Sequence, residues 1–184
     1  MKIRRSIIVI LLTAVGLASC HRPDPVKVAA AQGLLATCDS MITTVNSTDT
    51  AVYRHMDSLF TAQRDGFAAR FRDTLDTTTA MTLGNYHRAM SGPLRQLIDD
   101  RGKVLADLAE ARMRITALGH DLSSGLLQEL EADKALQQER GILLQLRVHS
   151  SVLERARGAV DNAWASRTTI DSLIATADST AIIP

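Results

Sequence analysis

Residues 126–177 read LLQELEADKALQQERGILLQLRVHSSVLERARGAVDNAWASRTTIDSLIATA, with no proline among them. Leu146, Leu153, Val160, Ile170 and Ile174 mark a stripe along this stretch, with His149, Ala156, Ala163 and Arg167 at the intervening positions. The steps alternate three and four residues, as in a coiled coil, where that spacing keeps one seam turned to a partner helix. His149 and Arg167 break the apolar character of the seam. Gln128 to Arg140 is polar, with Leu130 and Leu136 as its strongly apolar members. A continuous helix over this stretch would approach ~75 Å at about 1.5 Å per residue. Gly141 and Gly158 are the places where a bend is expected.

Upstream, the same period recurs. Leu94, Leu97, Val104, Leu108, Ile115 and Leu118 form a second stripe, with Asp99, Asp100, Arg101, Asp107, Glu110 and Arg112 mainly on the other faces. Pro93, after Ser91-Gly92, suits the first turn of that helix, where its missing N–H costs nothing. The spacing of Tyr53, Met56, Phe60, Phe67 and Phe71 predicts a helix from about Thr50 to Leu75, its aromatic stripe turned to the core. A shorter piece is expected over Ala80 to Met90, and a first helix over Val28 to Val45. Asn46-Ser47-Thr48-Asp49 and Asp76-Thr77-Thr78-Thr79 read as turns that also cap the following helix. Gly119 to Gly125 reads as a helical hairpin turn, with Gly119 at the left-handed position and Asp121 or Ser123 capping the next helix. No period-two alternation persists anywhere. The fold class expected is all-α: an elongated antiparallel helical bundle, or coiled-coil-like helical hairpin.

The N-terminus speaks to compartment. Lys2, Arg4 and Arg5 precede an apolar run, Ile7 to Leu17, and then Ala18, Ser19 and Cys20. That order is a secretory signal, and the run falls short of the ~20 apolar residues that span a bilayer. Leu17-Ala18-Ser19-Cys20 resembles the lipobox of bacterial lipoproteins. The resemblance covers this segment alone. It implies cleavage before Cys20 and several acyl chains on Cys20, which together hold a protein stably on a membrane. Later stretches are read as too charged to span. Pro23 and Pro25 make the following segment an extended tether. The expected organisation is a signal peptide over 1–19, a lipidated tether over 20–26, one helical domain over 27–178 and a frayed tail over 179–184. Surface-exported lipoproteins of one group of Gram-negative bacteria often carry acidic residues just after the cysteine; His21-Arg22-Pro23 lacks them, so the resemblance implies the outer membrane's periplasmic face.

Composition excludes several function classes. Without Lys2, Arg4 and Arg5, the 21 basic residues fall to 18 against 20 acidic ones. That near-neutral balance supplies no basic face for nucleic acid. Cys38 is the one cysteine besides Cys20, so with Cys20 acylated the fold cannot rest on an internal disulfide. Cys38 reads as a small buried apolar residue. Phosphate loops, a Gly-x-Ser-x-Gly elbow, Cys-x-x-Cys and His-x-x-x-His are all absent. No catalytic residue and no cofactor is expected, and the chain does not read as an enzyme. No metal ligand is expected either. His55, Met56, His87 and Met90 are the weak candidates, because imidazole and thioether groups suit a soft metal. Leu59-Phe60-Thr61-Ala62-Gln63 partly resembles the Leu-Thr-x-x-Gln motif of periplasmic helical metal and stress sensors, with Phe60 interrupting it.

A second motif repeats. Seven of the fifteen Asp residues precede Ser or Thr, where composition alone gives about two or three. Asp-Ser/Thr followed by an apolar residue or Thr resembles the O-glycosylation signal of one group of Gram-negative bacteria. The acceptors implied are Ser40, Thr50, Ser58, Thr74, Thr77, Ser172 and Ser179. The competing account is helix capping, which suits Asp49, Asp76 and Asp178 but not Asp57 or Asp171, inside expected helices. Asn46-Ser47-Thr48 matches an N-glycosylation sequon by accident. The function expected is a membrane-anchored envelope lipoprotein, a non-enzymatic scaffold or adaptor, with another envelope protein or its own copy as partner. The alternative is a periplasmic helical metal- or stress-sensing protein.

Overall fold

A computed structural model describes residues 22–71 and 75–180, and it is all-α, with no strand among the described residues. Six helices follow one another: α1 (Pro25–Asn46), α2 (Thr50–Arg70), α3 (Thr77–Ser91), α4 (Pro93–Ser123), α5 (Glu129–Trp164) and α6 (Arg167–Thr180). They form two compact units. The first joins the chain up to Ser40 with Leu108–Gln145; the second joins Met41–Asp107 with the chain from Leu146 on. Helices α1, α4 and α5 each contribute to both units.

The starts of the helices follow capping chemistry. Asp24 accepts from the Val26 N–H through its side chain at 2.8 Å and from the Val28 N–H through its carbonyl. Pro25 thus occupies the first helical position, and α1 begins inside the segment read as tether. Asp49 caps α2 by accepting from the Ala51 N–H, and Asp76 caps α3 by accepting from Thr79. Those hydrogen bonds to Thr79 hold the Asp76 carboxyl below its ordinary range. Asp178 lies inside α6 and not at a helix start, so the capping expected of it does not hold. Helix α6 also runs through Thr180, past the point read as a frayed tail.

The hairpin turn differs from expectation in one residue. Gly119 is helical, and α4 continues to Ser123. Gly125 takes the left-handed conformation, φ 65°. The Leu126 N–H reaches Asp121 O and the Gly125 N–H reaches Leu122 O, the paired bonds of a Schellman motif. The next helix starts after Gln128, whose N–H donates to Glu131 Oε2, so neither Asp121 nor Ser123 caps it.

The long C-terminal stretch breaks at neither Gly141 nor Gly158. It breaks at Ala165-Ser166, between α5 and α6. The Ser166 N–H tightens onto Ala163 O, and Ser166 O then accepts from Ile170. The break thus occurs with neither proline nor glycine at it, where the backbone closes one helix and opens the next at Ser166.

In the first unit, Leu108, Ala111, Ile115, Leu118 and Leu122 line one face of α4 and are buried. They meet Ala31 and Cys38 of α1 and Ala132, Leu136 and Leu143 of α5. Alanines let the helices approach: a Cβ on Gly119 would sit 3.9 Å from the Ala31 Cβ. Gly119 beside Ala31 and Leu108 beside Cys38 set α1 antiparallel to α4, and the short turn between Ser123 and Glu129, with Arg114 reaching back to Glu139, sets α4 antiparallel to α5. Each buried leucine or isoleucine here contributes roughly 1.5–3 kcal/mol.

In the second unit, Tyr53, Met56 and Phe60 of α2 are buried with Tyr86 and Met90 of α3, Leu94, Leu97 and Val104 of α4, and Leu153, Val160 and Ile170. Phe60 meets Tyr86 edge-on, centroids 6.0 Å apart. The aromatic stripe is thus core packing at its N-terminal half, while Phe67 and Phe71 are half-buried. Arg167, the charge that interrupted the seam, donates to Tyr86 Oη at 3.1 Å and to Asp171 at 2.8 Å. The other interruption resolves differently: His149 is exposed, and Ser150 takes the buried position beside it.

Helix α1 corrects one further expectation. Pro25–Arg64 contains a stretch long and apolar enough to cross a membrane by length and composition. From Val28 to Val45 the one charged residue is Asp39. The same helix buries Ala31, Cys38, Met41 and Val45, and Asp39 pairs with Arg112 at 2.7 Å, as in the core helix of a folded unit.

Candidate functional site

The described chain nearest the proposed anchor is Arg22-Pro23-Asp24. It lies against the α4–α5 turn. Lys27 Nζ donates to Glu129 O at 2.9 Å and pairs with Asp133 at 2.6 Å. Arg22, Pro23, Asp24 and Lys27 share a cleft of about 280 Å³ with Leu122, Gly125, Leu127 and Glu129. Around it, Val26, Leu126 and Leu130 are 75%, 60% and 65% exposed. Large aliphatic side chains are therefore presented to the outside at the start of α1 and at the neighbouring turn. Cys20 lies outside the described residues, two positions before Arg22.

The same unit holds a buried polar layer. Glu139, 6% exposed, occupies a seam position of α5. Its Oε1 accepts from Arg114 Nε at 3.0 Å, and its Oε2 has no hydrogen-bond partner. Arg114 reaches Glu110 as well, at 2.7 Å. The Glu139 hydrogen bond keeps the Arg114 guanidinium firmly protonated against the opposing effect of burial. Cys38 is fully buried close by and donates to Leu108 O at 3.3 Å. Burial, then Asp39, pushes the thiol above its ordinary value, which suppresses the nucleophilic thiolate. The arrangement joins α1, α4 and α5 through polar contacts inside the first unit.

The remaining candidates are spread through the fold. Met56 and Met90 are buried, while His55 and His87 are exposed. His87 lies edge-on to Phe60, centroids 5.6 Å apart, and approaches Ser91 through Nδ1. Among the described residues no group of three or more His, Cys, Asp or Glu could hold a metal ion. Ser40, Ser58, Thr77 and Ser172 are exposed and Thr50 is half-buried. Thr74, and the side chain of Ser179, lie outside the described residues. Asp49 and Asp76 are explained by the caps they form, whereas Asp39, Asp57 and Asp171 stand within helices. Asp171 is held by Arg167 and Gln63; burial pushes its carboxyl up, and those hydrogen bonds more than offset it. The second unit has two open clefts, one lined by Asn85, Tyr86, Arg88 and Asn162 and another by Gln96, Asp100, Lys103, Asp107 and His149, with Asp100 paired to Lys103 at 2.9 Å.

Sequence reasoning missed Glu139 and Ser150 as core residues. Continuing the three-four spacing upward from Leu146 to Leu143 and Glu139 was the signal that could have found the first. The chain matches no family model, no curated protein and no solved structure.

Proposed function

We propose that this chain is a bacterial envelope lipoprotein, acylated at Cys20, whose helical domain acts as a non-enzymatic scaffold or adaptor. The observation that carries the reading is the sequence Leu17-Ala18-Ser19-Cys20 after a basic and then apolar leader. The helical domain is consistent with it: Arg114, Arg167 and Lys27 are engaged in packing and pairing within the fold. Several acyl chains on one residue hold a protein at a membrane without a spanning helix. Its partner is another envelope protein or a second copy of itself. Exposed Ser40, Ser58 and Ser172, each after a mid-helix Asp, are the acceptors best placed for O-linked sugar.

Intact-mass spectrometry of the protein purified from its host's membranes tests this. The expected mass is that of residues 20–184 plus acyl chains, with sugar-sized increments where acceptors are modified. A mass fitting cleavage without lipid overturns the anchor, and an unincremented mass removes the glycan reading.

A further inference from the structure

We infer that the α4–α5 turn and the start of α1 rest on the bilayer surface, with Leu126, Leu130 and Val26 entering the lipid interface. This rests on the reading of Cys20 as acylated. Three observations point to it. Val26, Leu126 and Leu130 are each well over half exposed, although large aliphatic side chains gain by leaving water. They belong to segments joined by the Lys27 contacts to Glu129 and Asp133, so they lie at one end of the first unit. That end is also where the chain arrives from Cys20. Arg22 is two chain steps from Cys20, a reach of at most about 7 Å at ~3.3–3.6 Å per residue. An acyl-bearing residue so close to the fold holds this end, and no other part of the unit, against the membrane.

The fit to lipid is apolar. Glu129, Glu131, Asp133 and Asp24 outnumber the cations at this end, which are Arg22, exposed, and Lys27, paired with Asp133. Anionic headgroups therefore gain nothing from this surface by charge, and raising the salt leaves the contact intact. The turn is well shaped for shallow insertion. Gly125 in its left-handed conformation closes α4 and satisfies the last carbonyls through the Schellman bonds, so Leu126 projects from backbone that is already hydrogen-bonded. What the contact adds is orientation: the acyl chains hold this end at the membrane but leave the unit free to rotate about it, and an apolar second point fixes which face looks outward.

The test uses the mature acylated protein in vesicles of phosphatidylethanolamine and phosphatidylglycerol. Trp164→Phe removes the one tryptophan, and Leu126→Trp or Leu130→Trp places a reporter on the surface. Met113→Trp is the control, at an exposed position elsewhere on α4. Brominated lipids should quench the reporters at 126 and 130 by about half, as expected for side chains at the headgroup–acyl boundary, and leave position 113 unquenched at low and high salt. Equal quenching at 113 and 126, or none at either, overturns the docking. The mass of the sample decides acylation separately, so failure of the anchor and failure of the docking are distinct results. Should the chain carry no lipid, co-sedimentation of the full mature chain with the same vesicles replaces the quenching. Binding weakened several-fold by Leu126→Glu supports the docking, and absent or unchanged binding overturns it.

Discussion

Glu139 turns one carboxylate oxygen to Arg114 Nε at 3.0 Å and leaves the other without a partner in the packed seam of α5. The two residues are unequally committed. Arg114 is 36% exposed at its side chain and keeps Glu110 as a second partner, whereas the Glu139 side chain is 8% exposed. Buried ion pairs are costly to desolvate, and breaking one by removing a single partner costs most when the survivor is the buried member. Arg114→Met should therefore destabilise the protein by about 3 kcal/mol. Glu139→Leu should stay within about 1 kcal/mol of the parent or exceed it, because it removes an unpartnered buried oxygen and fills the seam. Urea denaturation followed by circular dichroism measures both. A larger loss for Glu139→Leu than for Arg114→Met would refute the asymmetry.

Glycines 119 and 125 should respond in opposite directions to alanine. Gly125→Ala forces a Cβ into a left-handed backbone, φ 65°, at a cost of about 1–2 kcal/mol. Gly119 is helical, and a Cβ there would make an ordinary contact with Ala31 at 3.9 Å. Gly119→Ala should stabilise by about 0.5–1 kcal/mol through helix propensity and a less flexible unfolded chain. Melting temperatures of the two variants against the parent give the comparison.

Tyr53 donates to Asp161 at 2.8 Å. Burial first, and then that hydrogen bond, pushes its phenol up to about 12 from an ordinary value of 10. The folded state thus holds the proton more tightly than the unfolded state does. The resulting stability is fully present below the unfolded value of 10 and is lost as pH rises through about 12. Tyr53→Phe should cost about 1 kcal/mol at neutral pH and flatten the decline of stability above pH 10. Tyrosinate absorbance and ellipticity recorded together during alkaline titration check this, since ionisation of Tyr53 and loss of helix are expected to coincide.

Cys38 should be unreactive while the protein is folded. Its thiol is buried, donates to Leu108 O and is held protonated by burial and then by Asp39. In the full mature chain carrying Cys20→Ser it is the one thiol. A disulfide reagent at pH 8 should titrate it only after denaturant is added. Fast reaction in native buffer would show that α1 opens at the Leu108 contact.

The all-α class and most helix starts were legible in the sequence. Apolar residues at three- and four-residue steps along α2, α4 and α5 bury one face whatever they pack against, and Pro93, Asp49 and Asp76 act on their own turns. Which glycine closes the hairpin was not legible, because Gly119 and Gly125 are equally able to turn left-handed. Packing of α4 through Leu122 against Ala132 and Leu136 carries the helix past Gly119. The spacing reaches position 139, but it does not say that a glutamate there, or Arg167 further on, packs inward. A polar residue in a seam reads as an interruption until its partner, distant in sequence, is known: Arg114 for Glu139, and Tyr86 with nearby Asp171 for Arg167. Local spacing and capping act within a few residues and are written in the chain. The choice of buried partners depends on which helices meet, and only the tertiary structure decided that.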